Sequence, residues 1–121
     1  MVRGLGNDII AVSRIETAID RYGQKFLDRV FTISEQNYCS RYKESTRNYA
    51  GRFAAKEAIV KALGTGFRNG LGWLDIEILN DSSGKPIVQF SDKLNQQFGN
   101  PQMMLSISHC REFASAVAIL L

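Results

Sequence analysis

With 121 residues, 45% hydrophobic and 22% charged, the chain suits one compact domain spanning residues 1–121, burying about two thirds of the surface its unfolded form exposes without disulfide or metal staples. The 15 Lys+Arg against 12 Asp+Glu give a net +3 with the signs interspersed, which argues against a nucleic-acid-binding arm yet suits an acidic partner or a phosphate-bearing ligand. No stretch is long and apolar enough to span a membrane, the Met1 end lacks a signal peptide's h-region and cleavage site, and Cys39 and Cys110 fit no metal or redox spacing, so a cytoplasmic protein with reduced thiols is expected.

Val2 to Val12 reads as a first strand, weakened locally by Gly4 and Gly6. Ser13 is placed to cap a helix to Tyr22, with Ile15, Ala18 and Ile19 on one face, and Gly23 ends it. Gln24 to Val30 makes a second short helix, with Phe26, Leu27 and Val30 inward. Thr32 or Ser34 starts a third toward Tyr42, Thr32 and Glu35 having capping-box spacing. The longest helix begins near Ser45 or Thr46 and stops at Gly64. Its apolar stripe is Tyr49, Phe53, Val60 and Leu63, and Gly51, costing about 1 kcal/mol relative to Ala, implies close packing. Thr65 to Gly72 is a loop. Trp73 to Leu79 alternates with Leu74, Ile76 and Ile78 on one face, turns at Asp81 to Lys85, and returns at Pro86 to Phe90. Ser91 caps a helix to Phe98, and strands follow at Met103 to Ser108 and Phe113 to Leu120, the last apolar enough to be buried on both faces. This order implies an α+β fold, an antiparallel sheet packed against a long central helix.

Neither GLGND at 4–8 nor GTGFRNG at 64–70 has dinucleotide-loop spacing, and no GK is followed by Ser or Thr, which excludes Rossmann and P-loop proteins. Asp8 lies among Ile9, Ile10 and Val12, where an acid must be edge-exposed, paired or metal-bound; on the residues alone the exposed strand position is the ordinary reading. Arg52, Lys56, Glu57 and Lys61 share three turns of the long helix. Glu57 and Lys61, four apart, could be an ordinary surface ion pair. Alternatively, Glu57 at the core edge joins a strand carboxylate in holding Mg²⁺, with Arg52 and Lys61 neutralising a diphosphate. His109, the single histidine, rules out a His-based zinc site. In a continuing strand His109 and Cys110 point to opposite faces, which opposes a nucleophilic dyad.

GLGNDI at 4–9, FTISE at 31–35, RFAAKEAIVKALGTG at 52–66, SSGKP at 82–86 and LSISH at 105–109 together resemble the holo-[acyl-carrier-protein] synthases, short single-domain 4′-phosphopantetheinyl transferases. The resemblance covers nearly the whole chain. It implies a magnesium-dependent enzyme of fatty acid biosynthesis, assembled as a homotrimer with active sites between subunits, whose substrates are coenzyme A and apo-acyl carrier protein. Asp8 and Glu57 match the metal ligands and Lys61 a lysine near the pyrophosphate. Arg52 and His109 match positions near the coenzyme A nucleotide. Arg14, Arg21 and Lys25 correspond to the surface that docks the carrier protein's acidic helix, and one extra residue stands near Tyr22–Gly23. Cys110 receives no role.

The chemistry implied is attack of a carrier-protein serine on the β-phosphorus of coenzyme A, releasing 3′,5′-ADP. Glu57, directly or through a water, is the candidate proton acceptor, and Lys61 offsets charge on the leaving group. Two rivals stand beside it. One is a non-catalytic module binding an acidic carrier protein through Arg14 and Arg21. The other is a nucleic-acid-binding domain, for which the aromatics sit on the wrong, apolar stripes.

Overall fold

The computed structural model describes residues 1–64, 66–68 and 70–121; Thr65 and Asn69 of the predicted loop lie outside the described residues. In chain order the elements are β1 (Gly4–Ala11), α1 (Val12–Tyr22), α2 (Gln24–Val30), α3 (Ile33–Cys39), α4 (Ser45–Leu63), a single 3₁₀ turn (Trp73–Asp75), β2 (Ile76–Asn80), β3 (Pro86–Phe90), α5 (Asp92–Phe98), β4 (Met103–His109) and β5 (Phe113–Leu120). Strands β1, β5 and β4 form an antiparallel sheet in that order, and β2–β3 is a separate antiparallel hairpin. The α+β arrangement expected from the element order is the one that forms.

Small residues let α4 lie directly on the sheet. Ala54, Ala55, Ala58 and Ala62 of the helix and Ala114, Ala116 and Ala118 of β5 are all buried. A Cβ at Gly6 would stand 2.0 Å from the Ala58 carbonyl oxygen, and one at Gly4 2.2 Å from that of Ala62. These glycines, read as weak points of a strand, are where β1 touches the helix backbone. Gly51 likewise faces Ile107, whose Cγ2 would be 3.1 Å from an added Cβ, so the close packing expected there exists.

Several boundaries differ from the sequence reading. Strand β1 starts at Gly4 rather than Val2 and passes into α1 without a loop. Ala11, not Ser13, occupies the N-cap position, and no side chain caps the helix. Helix α3 stops at Cys39, short of Tyr42. Trp73–Asp75 is a turn rather than strand because the Asp75 carboxylate accepts from the Gly72 N–H (2.8 Å) and the Ser91 hydroxyl (2.7 Å). Leu74 is consequently exposed while Ile76 and Ile78 are fully buried. The α4 stripe also widens: eleven of its residues are buried, among them Arg52 and Lys56, because sheet, hairpin and α3 surround it.

Strand β5 is not buried on both faces within the chain. Its alanines face α4, while Phe113 and Val117 are 48% and 41% exposed on the opposite side. The Thr32–Glu35 capping box does form, Glu35 Oε1 accepting from the Thr32 N–H at 2.8 Å.

Candidate active site

Alternation along β1 decides where Asp8 points. Gly4, Gly6, Asp8 and Ile10 share one face of the strand, and the two glycines lie against Ala62 and Ala58 of α4. The strand therefore runs antiparallel to the helix, and Asp8 falls one step nearer the helix start, beside Glu57 and Lys61. The Lys61 ammonium donates to Asp8 Oδ1 at 3.1 Å and to the Asn7 carbonyl at 3.0 Å. Asp8 is thus a paired, half-buried acid on the edge strand rather than an exposed one. Lys61 pairs with it and not with Glu57, one turn earlier.

Glu57 is half-buried, and its carboxyl is held above the usual range, first by burial and then by the negative charge of Asp8, with Lys61 opposing both. The charge of Asp8 raises the cost of ionising Glu57, and with a single lysine beside the two acids the site is short of positive charge. Among the described residues no third His, Cys, Asp or Glu joins them. That donor set fits Mg²⁺, which takes one or two carboxylates and completes its shell with phosphate oxygens and water.

A second feature lies on another side of α4. Tyr38, Asn48, Gly51, Arg52, Asn80, Gly84, Pro86, Ile107 and His109 line a cavity of about 180 Å³. Arg52 is 5% exposed. Its guanidinium lies 4.2 Å from the Tyr38 ring centre and donates to Asn80 Oδ1 at 2.6 Å, while its Nε has no partner. A buried, cationic, incompletely satisfied guanidinium beside a cavity favours an anionic ligand. His109 is exposed at the rim, its Cδ2 3.9 Å from the point where a Gly51 Cβ would stand.

Asp8, Glu57 and Lys61 thus come together, and Arg52 and His109 come together separately. Arg52 and Glu57 are five residues apart on one helix, about 7.5 Å along its axis. Arg14, Arg21 and Lys25 join neither group; all three are exposed, the arginines on α1 and Lys25 on α2, beyond the Gly23 turn. Cys39 is buried, Cys110 exposed, and both are free thiols. Sequence reading missed Tyr38 and Asn80, which flank Arg52; the SSGKP turn after Asn80 was a signal for the latter. It also missed the role of Lys56, fully buried against Glu35.

Residues 4–117 match the family model of the 4′-phosphopantetheinyl transferase superfamily. A holo-[acyl-carrier-protein] synthase of Protochlamydia amoebophila is 56% identical over 119 residues, covering 98% of each chain. Among solved structures, the Helicobacter pylori holo-[acyl-carrier-protein] synthase in complex with coenzyme A superposes with a TM-score of 0.87 at 37% identity, covering 97% of this chain and 99% of that one. A Bacillus anthracis holo-(acyl-carrier-protein) synthase in complex with CoA (3′,5′-ADP) gives 0.83 at 43% identity, covering 99% and 96%. No helix among the described residues is long and apolar enough to cross a membrane. A family match over nearly the whole chain, on a fold whose strand acid and helix acid converge, places this protein in the 4′-phosphopantetheinyl transferase superfamily.

Proposed function

We infer that the chain is a holo-[acyl-carrier-protein] synthase: it transfers the 4′-phosphopantetheine of coenzyme A to a serine of apo-acyl carrier protein and releases 3′,5′-ADP. The observation that carries this is the Asp8–Glu57–Lys61 cluster within a family match over residues 4–117. Asp8 and Glu57 are the residues that hold Mg²⁺ in this reading. When bound, the ion neutralises and orients diphosphate oxygens.

The remaining work falls to side chains. Glu57, half-buried beside Asp8, takes the serine proton, directly or through a water. Lys61, with a side chain 53% exposed, turns its ammonium from Asp8 toward charge developing on the leaving phosphate. Arg52, with its unpartnered Nε, and His109 receive the nucleotide end of coenzyme A. Arg14, Arg21 and Lys25 offer the acidic carrier protein an exposed basic surface.

The same reading includes a cytoplasmic enzyme, acting as one domain in fatty acid biosynthesis, and a homotrimer. What supports the assembly is the outer face of the three-stranded sheet. Leu5, Ile9, Met104, Phe113 and Val117 are each 41–66% exposed there, an apolar patch that calls for a partner surface. Light scattering should give three chains per particle, and a monomer with full activity contradicts the trimer. For the reaction, 3′,5′-ADP release from coenzyme A should require both apo-carrier protein and Mg²⁺. Release without carrier protein, or undiminished in excess chelator, contradicts the mechanism.

A further inference from the structure

The buried pair of Lys56 and Glu35 has no part in the chemistry above, yet it has the densest set of polar contacts in the core. The Lys56 ammonium donates to Glu35 Oε1 at 2.7 Å, the Val30 carbonyl at 2.7 Å and the Trp73 carbonyl at 3.1 Å. All three of its protons are used. Glu35 Oε1 also accepts from the Thr32 N–H, and Oε2 from the Ile78 N–H at 2.8 Å. Both side chains have 0% exposure.

The three lysine bonds tie the end of α2, the start of α3 and the turn before β2 to α4, and Glu35 in turn ties β2 to α3. Two of these elements build the walls around Arg52. Tyr38 follows Glu35 on α3 by three residues and faces the guanidinium; Asn80 follows Ile78 on β2 by two and accepts its hydrogen bond. Arg52 precedes Lys56 by four residues, so both lie on the same side of α4. Fixing Lys56 therefore fixes the turn of α4 that aims Arg52, and fixing Glu35 fixes the ring and the amide that receive it.

We propose that Lys56 and Glu35 are positioning residues for nucleotide binding, holding α3 and β2 against α4 so that Tyr38, Arg52 and Asn80 form a ready-made anion pocket. This rests on the reading of the Arg52 cavity as the site of the coenzyme A nucleotide. The Asp8–Glu57–Lys61 cluster is held instead by β1 across Gly4 and Gly6, so loosening the pair should act on affinity far more than on turnover.

The test compares the purified wild type with Lys56→Met/Glu35→Gln, which removes the charges together and avoids leaving one buried alone. Calorimetric titration with 3′,5′-ADP should give a dissociation constant at least ~10-fold weaker in the folded double variant. Its KM for coenzyme A should rise in step, and kcat at saturation should stay within ~3-fold. Leu94→Val, a buried change in α5 outside the cavity, supplies the purely structural comparison and should leave the constant unchanged. If the double variant does not fold, Glu35→Gln carries the test. It keeps the size and one accepting oxygen but turns an amide group toward a former donor, and ~3-fold or greater weakening is expected. Wild-type affinity in the folded double variant, or in Glu35→Gln where that carries the test, overturns the proposal, as does equal weakening by Leu94→Val. Failure of the wild type itself to bind 3′,5′-ADP overturns the nucleotide reading, and the proposal with it.

Discussion

Lys56 and Lys61 stand five residues apart on α4, about 140° around the helix, and each meets a carboxylate. The Lys56 side chain has 0% exposure, and its acid, Glu35, is equally buried. The Lys61 side chain is 53% exposed and its acid, Asp8, 18%. Lys56 spends its three protons on three fixed acceptors. Lys61 rests on Asp8 and the Asn7 carbonyl and keeps contact with water. One helix thus carries an ion pair fully absorbed by the fold and another at the edge of solvent, where the charges remain available to a ligand. The distinction lies in what surrounds the helix on each side, not in residue type.

The largest effect that would break this comparison is on stability. Lys56→Ala leaves Glu35 buried and unpaired and should cost about 3–5 kcal/mol in denaturant unfolding. Lys61→Ala, at an exposed pair, should change stability by no more than about 1 kcal/mol. Equal losses would mean that the two pairs are not different in kind. Next in size is the effect on turnover. Asp8→Asn or Glu57→Gln should leave folding intact and lower turnover at least ~100-fold, the low end for general acid–base work. Full activity in a folded Glu57→Gln protein would remove chemistry from the solvent-edge side.

The buried side has its own pH signature. Burial pushes the Cys39 thiol from 9.0 up to about 12 and the Tyr49 phenol from 10.0 up to about 12. In the unfolded chain both ionise near their ordinary values, so across pH 9–12 the folded form holds more protons and these groups lose stability as pH rises. Lys56 acts in the opposite sense: burial lowers its pKa from 10.5 more than Glu35 restores it, so its share grows with pH in the window just below 10.5. Cys39→Ala should therefore make the alkaline decline shallower by up to one proton's worth of slope. An unchanged slope, read from unfolding midpoints, would contradict the burial assigned to this side.

The smallest effect concerns the exposed arginines of α1. Arg14→Ala with Arg21→Ala should raise KM for the carrier protein a few-fold and flatten its salt dependence, leaving KM for coenzyme A unmoved, because such charges act mainly on association rate. A rise in both constants, or in neither, would place the docking surface elsewhere.

Local signals were the legible ones. The Thr32–Glu35 box, the stop at Gly64 and the need for close packing at Gly51 follow from caps and from the absence of a Cβ, which act within a few residues. The α+β class followed from element order. Lys56 was not legible, since its burial depends on α2, α3 and the β2 turn converging from 17 to 26 residues away. The helical stripe was drawn too narrow because α4 is surrounded, and alanines blur the pattern that a larger side chain would mark. Leu74 was misplaced because Asp75 and Ser91 form a turn no alternation pattern contains. For Asp8 the signal was present: its parity with Gly4, Gly6 and Ile10 puts it on the helix side. Reading the glycines as weakness rather than contact concealed it.

The central claim is that the solvent-edge side of α4 carries out phosphopantetheine transfer. Its most direct test is the mass of a purified apo-carrier protein after incubation with the chain, coenzyme A and Mg²⁺. A gain of one phosphopantetheine on a single serine, lost with Glu57→Gln and retained with Leu94→Val, is the result predicted. A carrier protein of unchanged mass after incubation with the folded wild-type chain, or one modified equally by Glu57→Gln, would contradict it.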